Sequence, residues 1–132
     1  MEEYNTVSPR EDVEAFVEFA RFCAAGRGDD IKISMARQKN KQFMDIHNYL
    51  RTDVIDLIRR LRIEEYSHTS WKGKTTAHVF GLNDDGLDIY MKLRRMDKTG
   101  AGEERDATLV ISFHEQERPL EFPYRKKKGA AT

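Results

Sequence analysis

Apolar residues first gather at helical spacing. Val13, Phe16, Val17, Phe19, Ala20 and Cys23 recur every three or four positions and form one stripe of a predicted helix. Ser8-Pro9-Arg10-Glu11 opens it: Ser8 is placed to cap the Glu11 amide, and Pro9 takes the first helical position, where its missing N–H costs nothing. Gly26 and Gly28 end it. The residues before it, 1–7, are polar and expected to be loose. Ile31-Lys32-Ile33-Ser34-Met35 alternates apolar with polar and predicts a short, half-buried strand. Residues 36–47 predict a second helix with Phe43, Met44 and His47 turned inward and Asn48 as a left-handed stop. Thr52 is the expected cap of a third helix carrying Val54, Ile55, Leu57, Ile58 and Leu61. Its early Asp53 and Asp56 and late Arg59, Arg60 and Arg62 suit the helix dipole.

After residue 66 the period shortens to two. Residues 75–80 predict a strand, Asn83-Asp84-Asp85-Gly86 a hairpin turn, and residues 87–96 a second strand. In that second strand Ile89, Met91 and Leu93 share one face, and Tyr90, Lys92 and Arg94 the other. Residues 97–106 read as a charged connection. Residues 107–114 then predict a third strand, with Leu109, Ile111 and Phe113 on one face and Val110, Ser112 and His114 on the other. Short links between successive strands imply an antiparallel meander. Helices first and strands later give an α+β fold, with N-terminal helices packed on one face of a mainly antiparallel sheet.

Composition narrows this picture. The 132 residues suit a single domain, 1–132, with about 1–7 and 126–132 flexible. Charged residues make up 35% of the chain, so much polar surface is expected. The one cysteine, Cys23, excludes an internal disulfide and is expected to pack as a small hydrophobe. His47, His68, His78 and His114 have no metal-ligand spacing, so neither a metal nor another cofactor is expected. No apolar run approaches membrane-spanning length, and Met1-Glu2-Glu3 is acidic where a signal peptide is basic, so the expected location is the cytoplasm. The formal charge is zero overall, but residues 1–36 carry −4 and the remainder +4, so only the C-terminal part would attract a polyanion.

The second sheet face carries the chemistry. Tyr90, Lys92, Arg94, Ser112 and His114 combine cations, a hydroxyl, a flat ring and a group that titrates near neutrality. A phosphodiesterase working without metal uses such parts: an acid and a base for the 2′-hydroxyl and the 5′-oxygen, cations for phosphorane charge, and an aromatic ring for an unpaired base. The bland alternative is an ordinary solvated face of an antiparallel sheet. Trp71 either folds back onto the core or stacks on a base, and Lys72 and Lys74 beside it suit phosphate contacts.

A family pattern runs through these segments. Glu64-Glu65-Tyr66-Ser67, His78-Val79-Phe80-Gly81, Asp88-Ile89-Tyr90-Met91-Lys92-Leu93 and Val110-Ile111-Ser112-Phe113-His114-Glu115 occur in order. Arg118-Pro119-Leu120 and Phe122-Pro123-Tyr124-Arg125 follow. Over residues 30–126 the chain resembles the MqsR toxins of bacterial type II toxin–antitoxin pairs, within the RelE-like superfamily. The resemblance implies a cytoplasmic, metal-independent mRNA endonuclease that leaves 2′,3′-cyclic phosphate ends. It would act with or without the ribosome and be neutralised by a cognate antitoxin. It implies His114, Lys92 and Tyr90 as catalytic residues and Tyr66 as an RNA-binding one; Lys72, Lys74, Arg94 and Arg125 complete the expected RNA-binding set. Ser67 departs from the pattern, since the family places a lysine after that tyrosine. The alternative is a catalytically silent RNA- or protein-binding domain using the same face.

Overall fold

The computed structural model describes residues 2–97 and 106–125. Their elements are β1 (Glu3–Thr6), α1 (Arg10–Ala24), β2 (Ile31–Ile33), α2 (Gln38–Ile46), α3 (Arg51–Arg59), a 3-10 turn (Ile63–Glu65), β3 (Tyr66–Lys72), β4 (Thr75–Asp84), β5 (Leu87–Met96) and β6 (Ala107–Glu115). The strands form one sheet in the order β1-β3-β4-β5-β6-β2. Every pairing is antiparallel except that of β2 with β6. The architecture is thus α+β, with three α-helices on one face of an open sheet. No helix of the described residues is long and apolar enough to cross a membrane.

The core lies between the helices and that face. Val13, Phe16, Val17 and Ala20 of α1 and Val54, Ile55 and Ile58 of α3 meet Phe80, Leu82, Ile89, Met91, Leu93, Val110 and Phe113 of the sheet. Each fully buried side chain of this size contributes about 1.5–3 kcal/mol. Cys23 is buried, as its apolar surroundings suggest, and burial pushes its thiol up. The β4–β5 hairpin turns through Asp85 and Gly86, with φ of 53° and 91°. Two successive positive φ values give a tight turn whose twist matches the strands, and Gly86 takes its φ without a Cβ penalty. Asn48 is left-handed as well, at φ 57°.

Several local expectations are corrected. Residues 3–6 are not loose but form the edge strand β1, paired to β3 from Glu3↔Lys72 to Thr6↔Thr69. Trp71 lies off the core, stacked on Tyr4 with its indole N–H donating to Thr6 Oγ1 at 2.8 Å. Ser8 does not cap α1, where Pro9 is the N-cap. Its side chain instead bonds Thr69 Oγ1 at 2.7 Å, and its amide donates to the Tyr66 hydroxyl at 2.9 Å. At α3 the N-cap is Leu50, and the Asp53 carboxylate, not Thr52, accepts from the Leu50 amide at 2.8 Å. His47 is exposed, whereas Phe43 and Met44 are buried. The meander has four strands, because β3 precedes the predicted three. The predicted loop 97–106 and tail 126–132 fall largely outside the described residues.

The largest correction is in β6. Its register slips between Lys92↔Ser112 and Leu93↔Val110, leaving Ile111 as an extra residue. Such a bulge reverses the alternation that follows it. Val110 and Phe113 therefore both enter the helix-side core, while Leu109 and Ile111 turn to the opposite face. Asn40 of α2 holds the slip in place. Its amide N–H groups donate to Ser34 O at 3.0 Å and Ile111 O at 2.9 Å, and its Oδ1 accepts from the Phe113 amide at 2.9 Å.

Candidate functional site

The face away from the helices has a floor of small or flat side chains. Val79 and Ala77 are buried there but lie outside the core cluster. Across the strands, His68, Val79, Lys92 and Ser112 form one row, and Gly81, Tyr90 and His114 the next. The predicted pairing of Tyr90, Lys92, Arg94, Ser112 and His114 on one face thus holds.

Cations converge at one end of this face. A cleft of about 260 Å³ is lined by Arg37, Lys72, Lys92 and Arg94, with Glu3, Ser34 and Ser70 at its walls. Burial holds the half-buried Lys92 ammonium below its ordinary value; Glu3 opposes this, and Arg37 and Lys72 add to it. A lysine crowded by two cations and partly stripped of water gains most from an anion that pairs with all of them. Sequence alternation pointed to Lys92 and Arg94, and Lys72 was expected to suit phosphate contacts beside Trp71. Arg37, Ser34 and Glu3 were missed as site residues. They come from the start of α2, the link after β2, and the edge strand, so only the sheet pairing brings them here.

At the other end, residues 116–125 cross the face as a strap. The close approach is possible because position 81 is glycine: a Cβ there would meet Phe122 Cζ at 2.8 Å and Leu120 Cδ1 at 2.9 Å. Beyond that crossing, Tyr124 stacks on Tyr66 with ring centroids 5.8 Å apart, and its hydroxyl donates to Ser8 O. We expect Gly81→Ala to lift the strap and lower stability by about 1–3 kcal/mol through overpacking. Faster cleavage after Glu121 by a glutamate-specific protease, with a lower denaturant midpoint, would register it, and an unchanged digestion rate would contradict the packing.

The remaining predicted residues scatter. His114 lies one row from Lys92 but does not line the cleft. Its ring stacks on Tyr90 at 4.9 Å and 10°, and its Nδ1 sits 2.9 Å from the Glu115 carbonyl and 3.9 Å from Glu117. Burial, first of all, raises the Tyr90 phenol above its ordinary value. Lys74, in the β3–β4 turn, lines a separate groove shared with Arg94 and His78. Arg125 lies over the Phe122 ring, 3.9 Å from its centroid. Tyr66 is corrected outright: it is fully buried on the helix side, its hydroxyl engaged by Ser8 and Thr69, and it cannot touch RNA. The missed histidine is His68. It shares the open face with Lys92, is half-buried, and bonds Ser67 Oγ through Nδ1 at 2.9 Å. The sequence held no signal for it, because β3 lacks an apolar alternation.

Among the described residues, no group of three or more His, Cys, Asp and Glu side chains is arranged to hold a metal ion. The cleft itself offers one carboxylate, Glu3, amid four cations. Compared with protein-family models, curated proteins and solved structures, the chain matches none of them.

Proposed function

We propose that this chain is a metal-independent endoribonuclease acting on single-stranded mRNA at the open sheet face, and that a cognate antitoxin restrains it in the cell. The observation carrying the catalytic reading is the convergence of Arg37, Lys72, Lys92 and Arg94 on one cleft, with histidines on the same face. Four cations can bind a phosphodiester and stabilise the extra negative charge of a phosphorane. A histidine can move the 2′-hydroxyl proton at neutral pH. The antitoxin and the bacterial setting rest on the family resemblance alone.

A second reading, a catalytically silent RNA-binding domain, is favoured by the stacking of Tyr90 on His114, which turns both rings toward each other instead of toward the cleft. Incubating a long single-stranded RNA with the protein in EDTA decides between them. The enzyme reading expects fragments with 2′,3′-cyclic phosphate and 5′-hydroxyl ends, formed on the order of 10²-fold more slowly by Lys92→Ala. Folded, antitoxin-free protein that binds this RNA but leaves it intact, with ribosomes or without, would support the silent domain instead.

A further inference from the structure

His68 lines one depression of the open face and shares a cross-strand row with Lys92, which lines another. On one side is the cation cleft, reached along the row His68, Val79, Lys92. On the other is a slot of about 610 Å³ between β3 and the strap, lined by Val7, Ser67, His68, Pro119, Leu120 and Phe122 among others. The slot is largely apolar, of a kind that accepts a flat nucleobase, and the cleft is of a kind that accepts phosphate.

The local backbone makes His68 more than a surface histidine. Adjacent residues of a regular strand point to opposite faces. The register of β3 slips between Tyr66 and His68, so Ser67 and His68 both border the slot. That slip lets the Ser67 hydroxyl reach the ring of its own neighbour. The Ser67 hydroxyl supplies an orienting bond to the ring at 2.9 Å.

We propose that His68 is the proton acceptor of this site and that Ser67 positions it. This rests on the endoribonuclease reading above. With Nδ1–H donating to Ser67 Oγ, the lone pair lies on Nε2, the second ring nitrogen. As RNA runs from cleft to slot, Nε2 takes the 2′-hydroxyl proton while the 2′-oxygen bonds to phosphorus and the P–O5′ bond breaks. The departing 5′-oxygen takes a proton from water, and the imidazolium returns its proton to the hydroxide left behind. The charged group that acts on His68 is Lys92 from β5, and Glu121 of the strap lines the same slot. Burial, and then Lys92, hold the imidazole below its ordinary value, which keeps it neutral and basic at pH 7.

The test is single-turnover cleavage of a single-stranded RNA between pH 5 and 8 by wild type, His68→Gln, Ser67→Ala and His114→Gln. Thermal midpoints and RNA affinity are measured alongside. The expected result is a loss on the order of 10²-fold or more for His68→Gln at unchanged affinity. The wild-type rate should rise with unit slope up to an inflection below pH 6.5, and Ser67→Ala should move that inflection. Wild-type-like cleavage by His68→Gln, with His114→Gln inert, overturns the assignment to His68 and leaves the ribonuclease standing. Wild-type protein that never cleaves overturns both. Should His68→Gln not fold, the wild-type imidazole resonances are followed while a 2′-O-methyl RNA is added. A shifted His68 titration is expected, and an unmoved one overturns the proposal.

Discussion

Asn40→Ala should lower the unfolding free energy by about 3–4 kcal/mol, with a fall in the thermal midpoint on the order of 10 °C. Asn40 is fully buried, and each of its three hydrogen bonds ends on backbone. Alanine leaves the Phe113 amide and the Ser34 and Ile111 carbonyls without that partner, and each orphaned buried group costs about 1–3 kcal/mol. Bulge residues have no ladder partner to fall back on. Asn40→Asp sharpens the test. It keeps an acceptor for Phe113 N–H but sets a carboxylate oxygen against two carbonyl oxygens, so it should destabilise at least as much at neutral pH. Urea unfolding of the three proteins measures this directly. A loss of under about 1 kcal/mol in both variants would mean that the bulge holds itself. A functional effect should accompany the loss, because the slip that Asn40 secures turns Leu109 and Ile111 into the cation cleft.

The second large effect is on stability against pH, through His78. Burial pushes its imidazole down to about 4, with Asp12 opposing weakly. The ring packs 4.4 Å from Phe16, and its Nδ1 sits 2.9 Å from Thr69 Oγ1. Thr69 also bonds Ser8 and Tyr66. The inventory closes if Thr69 accepts from those two and gives its one proton to His78 Nδ1, so a protonated Nδ1 would break the chain of bonds. The sign follows from where the protons sit. Between the folded value and the ordinary histidine value of about 6.5, the unfolded chain binds the proton and the folded one does not. The contribution of neutral His78 is therefore complete above pH 6.5 and lost as pH falls toward 4. The whole window is worth about 3 kcal/mol. His68, also lowered, acts in the same direction. The contrast between wild type and His78→Gln isolates the first group. The gap in unfolding free energy between pH 7 and pH 4.5 should shrink in the variant, and equal gaps would exclude His78 as the source.

Periodicity made the helices and β5 legible, because each buries one stripe or one face. β3 was illegible for a physical reason. Its helix-side positions are Tyr66, Thr69 and Trp71, whose polar atoms are satisfied by Ser8, His78 and Thr6 and not by apolar packing. β1 was hidden because an exposed edge strand needs no apolar residues at all. In β6 the alternation was read without the bulge, and one extra residue moved Leu109 and Ile111 to the other face. The same limits apply to the site. Lys92 and Arg94 follow from one strand's alternation. Arg37, Glu3 and His68 reach it through pairings that join distant segments.

Those pairings also govern when the molecule can form. β1 waits for β3, since Glu3 pairs with Lys72, and β2 waits for β6, since Ile31 pairs with Thr108. Contacts so far apart in sequence slow folding. On a translating ribosome, β1 can dock once β3 has emerged but β2 only after β6, so the cation cleft, which draws on Glu3, Arg37 and Lys92 together, is assembled only after β6 has been synthesised.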